Sequence, residues 1–413
     1  MTTVYNIDLG IPKEETFSIA NKALKLDTEE QIDPIIKDLK NFKVIKKLDI
    51  SGNTFSPLAS KKLVENLTEF QKDLVDVNLQ DIYVSRDKDE IPASLKEFFP
   101  FFLNCPNLRV LNLSDNAFGQ DTIEVLEDFI SKAVSLEHLI LTNNGLGPFS
   151  GARIGKALYN LSKAKSLAQD DSKTTTTTTT TTPISLKTFW CGRNRLENGS
   201  IDYLSIGLRS HKNLEEVKLY QNGIRPLGIA KLITHGLSKI ESLKTIDLQD
   251  NTFTIKGSVA LANSIGNWEN LVELNINDCL LKPKGCLNFI ESLKILKFDS
   301  NIKILKLQYN ELDSESLQVL SAILNDKLPN LTKLELDGNR FDEDDEYLVK
   351  IQDIFEERGA ELDELEDLEE PDSDEEDEDE DEDEEEEGEG DGEGEDEDKS
   401  LDELEKELAA AHI

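Results

Sequence analysis

Apolar and polar positions follow one recurring pattern along most of the chain, Leu-x-x-Leu-x-Leu-x-x-Asn-x-Leu, in which other apolar residues replace some of the leucines. The alternation around the second and third apolar positions predicts a short strand with one buried face. Ten copies can be followed, one of them degenerate, and a partial eleventh precedes them around Leu24 and Leu26. The ten copies begin at Ile45, Leu74, Leu108, Leu136, Leu186, Leu214, Leu243, Leu271, Ile302 and Leu331.

The distance between the asparagines of neighbouring copies indicates the kind of repeat. It is 28 residues from Asn116 to Asn144 and from Asn194 to Asn222. This period leaves room for a strand, a turn and an α-helix, and the asparagine side chain is expected to bond the backbone of the neighbouring turn. The pattern therefore predicts an α/β solenoid, a leucine-rich-repeat horseshoe of about 10–11 β-α repeats with parallel strands on the concave face.

Composition divides the chain into three regions. Residues 1–360 are the predicted repeat domain, interrupted at about 165–183 by an insertion that contains nine consecutive threonines. A threonine run has no apolar side chains for a core, so we expect this insertion to be disordered. Residues 361–400 hold 29 acidic residues and one lysine, which predicts a disordered acidic tail. Residues 401–413 carry leucines at helical spacing and are predicted to form a short C-terminal helix.

Charge and cysteine content exclude several classes of function. The formal net charge is −40, so the chain lacks the clustered cations that nucleic acid requires. The sequence contains no stretch of 18 apolar residues, so we predict no membrane-spanning helix. The four cysteines form no Cys-x-x-Cys pair and have few histidines near them, so we expect reduced thiols and no metal site. They are Cys105, Cys191, Cys279 and Cys286.

Residue groups that carry out catalysis are not evident. The four histidines are scattered, and neither a nucleophile elbow, an HExxH motif nor a phosphate-binding glycine loop occurs. His138 falls inside a predicted strand, where we interpret it as a packed or rim residue. We therefore expect no enzymatic activity of its own.

The residue before each asparagine of the pattern, or before Cys279 in the copy that lacks it, is predicted to lie where the strand turns outward, so these residues form a row along one rim of the horseshoe. Turn chemistry alone accounts for aspartate and asparagine there. Arg193, Gln221 and Tyr309 are not turn formers, which favours a binding surface. The row consists of Asp115, Asn143, Arg193, Gln221, Asp250, Asp278 and Tyr309.

Several local segments are more specific than the generic repeat. They include KDEIP at 88–92, LSDNAFG at 113–119, NNGLGP at 143–148, CGRNRLENGS at 191–200 and QNGIRP at 221–226. In order and spacing, roughly residues 20–370 resemble the Ran GTPase-activating protein family. The resemblance implies stimulation of GTP hydrolysis by the small GTPase Ran in nucleocytoplasmic transport. It also implies no cofactor of the chain's own, because GTP and Mg²⁺ are carried by the partner.

The resemblance also implies roles for individual residues. Many activators supply an arginine finger, but this family is understood to use an asparagine that orients the GTPase's own catalytic glutamine. That asparagine corresponds to Asn143, with Asn144 as the buried residue. Arg86 and Lys88 become partner-binding residues, which either order the loop or meet acidic groups of the GTPase. Here the chain has Val84-Ser85-Arg86 where the family usually has Thr-Gly-Arg. From the rim row, Asp115, Arg193, Gln221, Asp250 and Asp278 are predicted to contact the partner.

Partner and location follow as expectations. We expect a monomer that binds Ran-GTP, alone or with a Ran-binding protein, in the cytoplasm, with perinuclear association or shuttling left open. The alternative is a non-catalytic acidic leucine-rich-repeat chaperone that binds basic proteins such as histones. Such chaperones have shorter repeats of about 22–24 residues. A scaffold similar to ribonuclease inhibitor shares the period found here but is typically rich in cysteine.

Overall fold

The computed structural model describes residues 7–174, 185–297, 300–369 and 400–410. Its main feature is a sheet of twelve parallel strands that follow one another in chain order. Two further strands, β2 and β4, pair separately. The strands are β1 (Thr16–Ser18), β2 (Lys25–Leu26), β3 (Lys47–Asp49), β4 (Thr54–Phe55), β5 (Asp76–Asn78), β6 (Val110–Asn112), β7 (His138–Ile140), β8 (Thr188–Trp190), β9 (Glu216–Lys218), β10 (Thr245–Asp247), β11 (Glu273–Asn275), β12 (Ile304–Lys306), β13 (Lys333–Glu335) and β14 (Glu361–Leu362).

Helices alternate with these strands and pack against their neighbours in the next repeat. A π-turn at Leu232–Gly236 and short 3-10 turns complete the connections. The α-helices are α1 (Glu29–Leu39), α2 (Pro57–Leu67), α3 (Glu90–Leu103), α4 (Ile123–Lys132), α5 (Gly147–Thr174), α6 (Ile201–Arg209), α7 (Pro226–Lys231), α8 (Thr254–Ser264), α9 (Lys282–Lys294), α10 (Ser314–Ile323), α11 (Glu346–Arg358) and α12 (Leu401–Ala410). The predicted α/β solenoid with parallel strands is confirmed.

Local sequence signals set several helix ends. Ser56 caps α2 by accepting a hydrogen bond from the backbone N–H of Ala59, and Pro57 occupies the first helical position. Asp345 caps α11 in the same way. That helix ends at Gly359, whose φ of 60° is the left-handed conformation that glycine adopts most easily. These caps fix where each helix begins and ends relative to the sheet.

The apolar core lies between the sheet and the helices. Leu111, Leu139 and Phe189 pair in register on neighbouring strands, and all three are fully buried in one continuous cluster. The residues on either side of them in each strand point to the opposite, concave face. Helices α5 and α6 touch so closely that a Cβ on Gly155 would lie 2.3 Å from the backbone of Tyr203, so only glycine fits there.

A ladder of buried asparagines joins the repeats. Asn144 donates through Nδ2 to the carbonyl oxygens of Leu113 and Leu141 and accepts from the backbone N–H of Asn116. These bonds satisfy backbone groups that would otherwise be buried without partners. Cys279 takes the place of asparagine in one repeat, and its thiol lies 3.4 Å from the carbonyl oxygen of Leu248.

Both ends of the sheet extend beyond the predicted repeats. Strand β1 pairs with β3, and Leu26 lies opposite Phe55, so the partial copy around Leu24 belongs to a full N-terminal repeat. Strand β14 pairs with β13 at the other end. Residues 361–369 therefore pack on the repeat domain, which corrects the boundary placed at residue 360. Tyr309 donates a hydrogen bond to Asp367 at 3.1 Å, which anchors this segment.

The start of the insertion also differs from the prediction. Helix α5 continues to Thr174, so the backbone from 165 to 174 is helical. Lys165 is buried, and its Nζ donates to the carbonyl oxygens of Val134 and Leu136 at 2.7 and 2.6 Å. Burial lowers the pKa of Lys165 to about 8. The predictions for residues 175–183 of the insertion and for the acidic run at 370–399 lie outside the described residues.

The remaining predictions about composition concern membranes and thiols. In the described part of the chain, none of the helices is long and apolar enough to cross a membrane. Within those same ranges, no group of three or more His, Cys, Asp or Glu side chains could hold a metal ion. All four cysteines are buried free thiols. Of the segment 401–413 predicted to form a C-terminal helix, residues 401–410 form α12, and residues 411–413 lie outside the described residues.

Candidate functional site

The seven rim residues share one backbone conformation. Their φ angles lie between 52° and 59°, in the left-handed region that non-glycine residues rarely adopt. Glycine takes the equivalent positions at Gly52 and Gly338. The turn itself therefore explains the aspartates and the asparagine of the row. Arg193, Gln221 and Tyr309 gain nothing from the turn. The hydroxyl of Tyr309 bonds Asp367 of the C-terminal segment, so the side chains of Arg193 and Gln221 are the ones that need another explanation.

Asn143 and Asn144 have opposite environments. Asn144 is fully buried in the asparagine ladder. Asn143 has a φ of 57° and is half-buried, and its backbone N–H donates to the carbonyl oxygen of Gly192 at 2.9 Å. The left-handed turn directs its side chain away from the core and toward the rim. The sequence prediction of a buried ladder residue next to an outward residue agrees with this geometry.

Asp115 determines how the amide of Asn143 is oriented. Its Oδ1 accepts from Nδ2 of Asn143 at 2.7 Å, and its Oδ2 accepts from Nε2 of Gln80 at 2.7 Å. An ionised carboxylate can only accept, so the nitrogen of the Asn143 amide must face Asp115. The amide oxygen of Asn143 therefore points away from Asp115. The sequence did not indicate this contact, because Gln80, Asp115 and Asn143 belong to three different repeats.

Acidic charge accumulates beside this group. Asp81 lies in the equivalent left-handed turn one repeat earlier, with a φ of 54°. Partial burial and the nearby charge of Asp115 raise the pKa of Asp81. The amide of Asn143 is thus held at an electronegative edge.

Arg86 lies inside the protein. Its side chain is only 7% exposed, and its guanidinium lies 2.5 Å from the carboxylate of Asp27 and 3.6 Å from that of Glu90. It also donates to the carbonyl oxygens of Leu26 and Thr54 at 3.3 and 3.2 Å. Of the two roles left open for Arg86, ordering of the loop therefore fits its position. A direct contact with acidic groups of a partner does not.

Lys88, in the same loop, is exposed. Its side chain is 74% accessible, and Nζ lies 3.7 Å from the carboxylate of Asp121, a distance at which solvent screens the pair strongly. Lys88 is therefore accessible to a partner, in contrast to Arg86.

An acidic basin lies farther along the rim. Gln221, Asp250 and Asp278 line a shallow pocket of about 290 Å³. Nε2 of Gln221 donates to Asp250 at 2.6 Å. Burial and the charge of Asp250 raise the pKa of Asp278. The basin can accept a cationic or hydrogen-bond-donating side chain.

Tyr220 is a rim neighbour that the sequence did not single out. Its ring lies on Gly192, where a Cβ would approach it to 2.8 Å. Burial raises the pKa of Tyr220, while the charge of the adjacent Arg193 opposes this shift. In the sequence, Gly192 precedes Tyr220 by one repeat, and this spacing could have indicated the contact between them. Arg193 itself is half-buried, and its backbone N–H donates to the carbonyl oxygen of Tyr220 at 2.8 Å.

His138 lies on the concave side of strand β7, as a packed residue. Its Nδ1 is 2.9 Å from Oγ1 of Thr188 on the next strand. Burial lowers the pKa of His138, so the ring is mainly neutral near pH 7.

Comparison with known proteins places this architecture in a family. A family model described as Leucine Rich repeat matches residues 104–121. Ran GTPase-activating protein 1 of Saccharomyces cerevisiae is 48% identical over 352 residues, which cover 84% of this chain and 83% of that protein.

Two animal proteins match smaller parts of the chain. Ran GTPase-activating protein 2 of Caenorhabditis elegans is 39% identical over 229 residues, covering 54% of this chain and 22% of that protein. Ran GTPase-activating protein 1 of Xenopus laevis is 34% identical over 210 residues, covering 50% of this chain and 34% of that protein. The chain thus spans about a fifth to a third of these animal proteins but most of the yeast one. Because the yeast protein is 48% identical over 84% of this chain, the chain belongs to the Ran GTPase-activating protein family.

Proposed function

We propose that this chain stimulates GTP hydrolysis by the small GTPase Ran and thereby acts in nucleocytoplasmic transport. The yeast relative that is 48% identical carries the name Ran GTPase-activating protein 1, which supports the activity. The chain acts in trans as a regulator, since GTP and Mg²⁺ are bound by the partner. We place it in the cytoplasm as a monomer, on Ran-GTP alone or with a Ran-binding protein present.

The proposed mechanism depends on Asn143. GTP hydrolysis by a small GTPase requires a glutamine that holds the attacking water in line. The observation that carries the proposal is the bond from Asn143 to Asp115, which leaves the amide oxygen of Asn143 directed away from its own chain's carboxylate. That oxygen accepts from the side-chain N–H₂ of the partner's glutamine. The glutamine is then held in the conformation that orients the water, so the gain in rate comes from positioning.

An arginine finger is a weaker explanation of the activity. A finger must reach the γ-phosphate of the partner's GTP. To do so, Arg86 would have to give up its ion pair with Asp27 and its hydrogen bonds to Leu26 and Thr54. These contacts are charge-assisted and mostly buried, so the inward position is strongly preferred.

Lys88 and the rim residues beyond Asn143 serve binding in this proposal. Lys88 is exposed and meets acidic groups of the GTPase, while Asp250 and Asp278 receive a basic side chain in the basin. Arg193 lies between these two regions. Opposite charges at the two ends of the contact orient the partner as it approaches.

Single-turnover hydrolysis of GTP by Ran, with this chain in catalytic amounts, tests the proposal. Asn143→Ala should lower the stimulated rate by about 10²-fold, the usual cost of losing a positioning contact. Asn107→Ala is the matched control, because Asn107 is an exposed asparagine before strand β6, at the end opposite the rim, whose amide donates to the carbonyl oxygen of Lys72.

Full activity of Asn143→Ala would show that the assigned mechanism is wrong even if the wild-type chain is an activator. If the wild-type chain fails to stimulate Ran and instead binds histones tightly, the acidic chaperone function becomes the better explanation.

A further inference from the structure

The concave face of the sheet has one apolar site. At the concave positions of the other strands, most side chains are polar or charged, as in Asp76–Asn78 and Glu216–Lys218. Strands β6, β7 and β8 instead place Val110, Ile140 and Trp190 there. These three form a cluster separate from the main core. We call them the concave apolar site.

The concave apolar site is covered. Val110 and Ile140 are 0% exposed and Trp190 is 4% exposed, although they lie on the open side of the sheet. The side chain of Ile7 packs against the cluster. Apolar side chains on a solvent-facing surface stay buried only when another apolar group covers them. Ile7, near the beginning of the chain, contributes to that cover.

The path of the chain is consistent with this contact. Strand β1 lies at one end of the sheet, four positions away from β7 in the strand order. At roughly 4.8 Å per strand, this is about 19 Å. Eight residues lie between Ile7 and Thr16. Lys13–Glu15 form a short 3-10 turn, so at roughly 3.3 Å per extended residue and about 2 Å per residue of the turn, the segment reaches about 25 Å. The segment therefore crosses the concave face without strain.

We propose that residues 7–12 are a strap that binds the concave face in cis, with Ile7 as its anchor in the concave apolar site. The anchor residues belong to the same three repeats as Asp115, Asn143 and Arg193. Ile140 and Trp190 each precede a rim residue by three positions. A partner that enters the concave face at these repeats meets the strap first, so the strap limits which surfaces can approach there.

Two features of Trp190 indicate that the strap can be exchanged for another apolar group. The ammonium of Lys218 lies 4.1 Å from the centre of the Trp190 ring, so one side of the indole is held by a cation–π contact and does not depend on the strap. The indole N–H of Trp190 is buried without a hydrogen-bond acceptor in the described structure. Covering it therefore has a cost, which weakens the hold of Ile7.

Tryptophan fluorescence of the full chain tests the strap. The chain has two tryptophans, and Trp268 is buried on the far side of the sheet with its N–H bonded to the carbonyl oxygen of Leu237. A Trp268→Phe background leaves Trp190 as the single reporter. Adding Ile7→Ser should shift its emission to longer wavelength and raise its acrylamide quenching constant. Leu9→Ser is the matched control, because Leu9 is an exposed apolar residue of the same segment.

Unchanged emission and quenching in Ile7→Ser, or equal changes in both variants, would overturn the proposal. If Trp268→Phe impairs folding, 5-fluorotryptophan labelling of the otherwise unaltered chain gives the same readout. The ¹⁹F resonance that Trp190→Phe removes should then move with Ile7→Ser and not with Leu9→Ser. Neither measurement involves GTP hydrolysis, so the result is independent of the proposed function.

Discussion

Asp115→Asn separates a positioning role of Asp115 from direct contact with the partner. The carboxylate accepts two hydrogen bonds, from Gln80 and from Asn143, each at 2.7 Å. An amide at this position offers one acceptor and one donor, so one of the two partners would face another N–H₂ group. Asparagine tolerates the left-handed turn, so the backbone should be unaffected. A hydrogen bond to a charged group contributes about 1.5–3 kcal/mol.

If that energy orients Asn143 in the transition state, Asp115→Asn lowers kcat for stimulated hydrolysis by about 10- to 150-fold. The KM for the GTPase should change little. The assay is a double-mutant cycle under multiple turnover, with wild type, Asp115→Asn, Asn143→Ala and the double variant. Once Asn143 is absent, there is nothing left to orient, so the second substitution should have almost no further effect.

Additive losses in this cycle would refute the reasoning. They would mean that Asp115 contacts the GTPase itself, as the sequence first suggested, and that its bond to Asn143 is incidental. A raised KM with unchanged kcat leads to the same conclusion, because it marks the loss of uniform binding.

Two further predictions concern stability. Arg86→Ala should lower the free energy of unfolding in urea by about 1–3 kcal/mol, since it removes a mostly buried charge-assisted network. Burial raises the pKa of Asp27, but the positive charge and hydrogen bond of Arg86 outweigh the effect of burial and hold that pKa below its ordinary value. The stabilisation by the Asp27–Arg86 pair is thus present above pH ~4 and lost as Asp27 protonates at lower pH. A difference in unfolding free energy between wild type and Arg86→Ala that stays constant into acid would contradict this pairing. Burial lowers the pKa of His211 to about 4. Between pH ~6.5 and pH ~4, therefore, only the unfolded chain binds a proton at this histidine. The free energy of unfolding should fall by about 1.4 kcal/mol for each unit that the pH falls in this range. His211→Gln can still donate a hydrogen bond to the carbonyl oxygen of Leu158. Its unfolding free energy should depend less steeply on pH between pH 7 and 5 than that of the wild type. Equal slopes for the two proteins would argue against a buried neutral imidazole.

The repeat pattern was sufficient to predict the solenoid. Each copy places its apolar residues and asparagine at fixed spacing, and the ladder around Asn144 follows from backbone groups that must be satisfied. The ends of the domain were less predictable. Strands β1 and β14 depart from the pattern, and they are stabilised by pairing with the adjacent strand instead of by their own sequence. The backbone of α5 also continues to Thr174, beyond the predicted start of the insertion.

The chemistry of the rim could be predicted in position but not in detail. The residue before each ladder asparagine does turn outward, as expected from the strand geometry. Its partners could not be inferred. The family resemblance left two roles open for Arg86, ordering of its loop and contact with the GTPase. Its guanidinium turns inward to Asp27, 59 positions earlier, which no local pattern indicated.

The sequence by itself determined the period, the parallel strands, the buried ladder and the row of outward residues, because each depends on local spacing and backbone satisfaction. Only the tertiary structure decided which side chains meet. It brought Gln80 and Asn143 to the two oxygens of Asp115, Arg86 to Asp27, and Ile7 to the concave apolar site. These contacts join residues from different repeats, and stacking of the repeats in three dimensions is what places them within reach of one another.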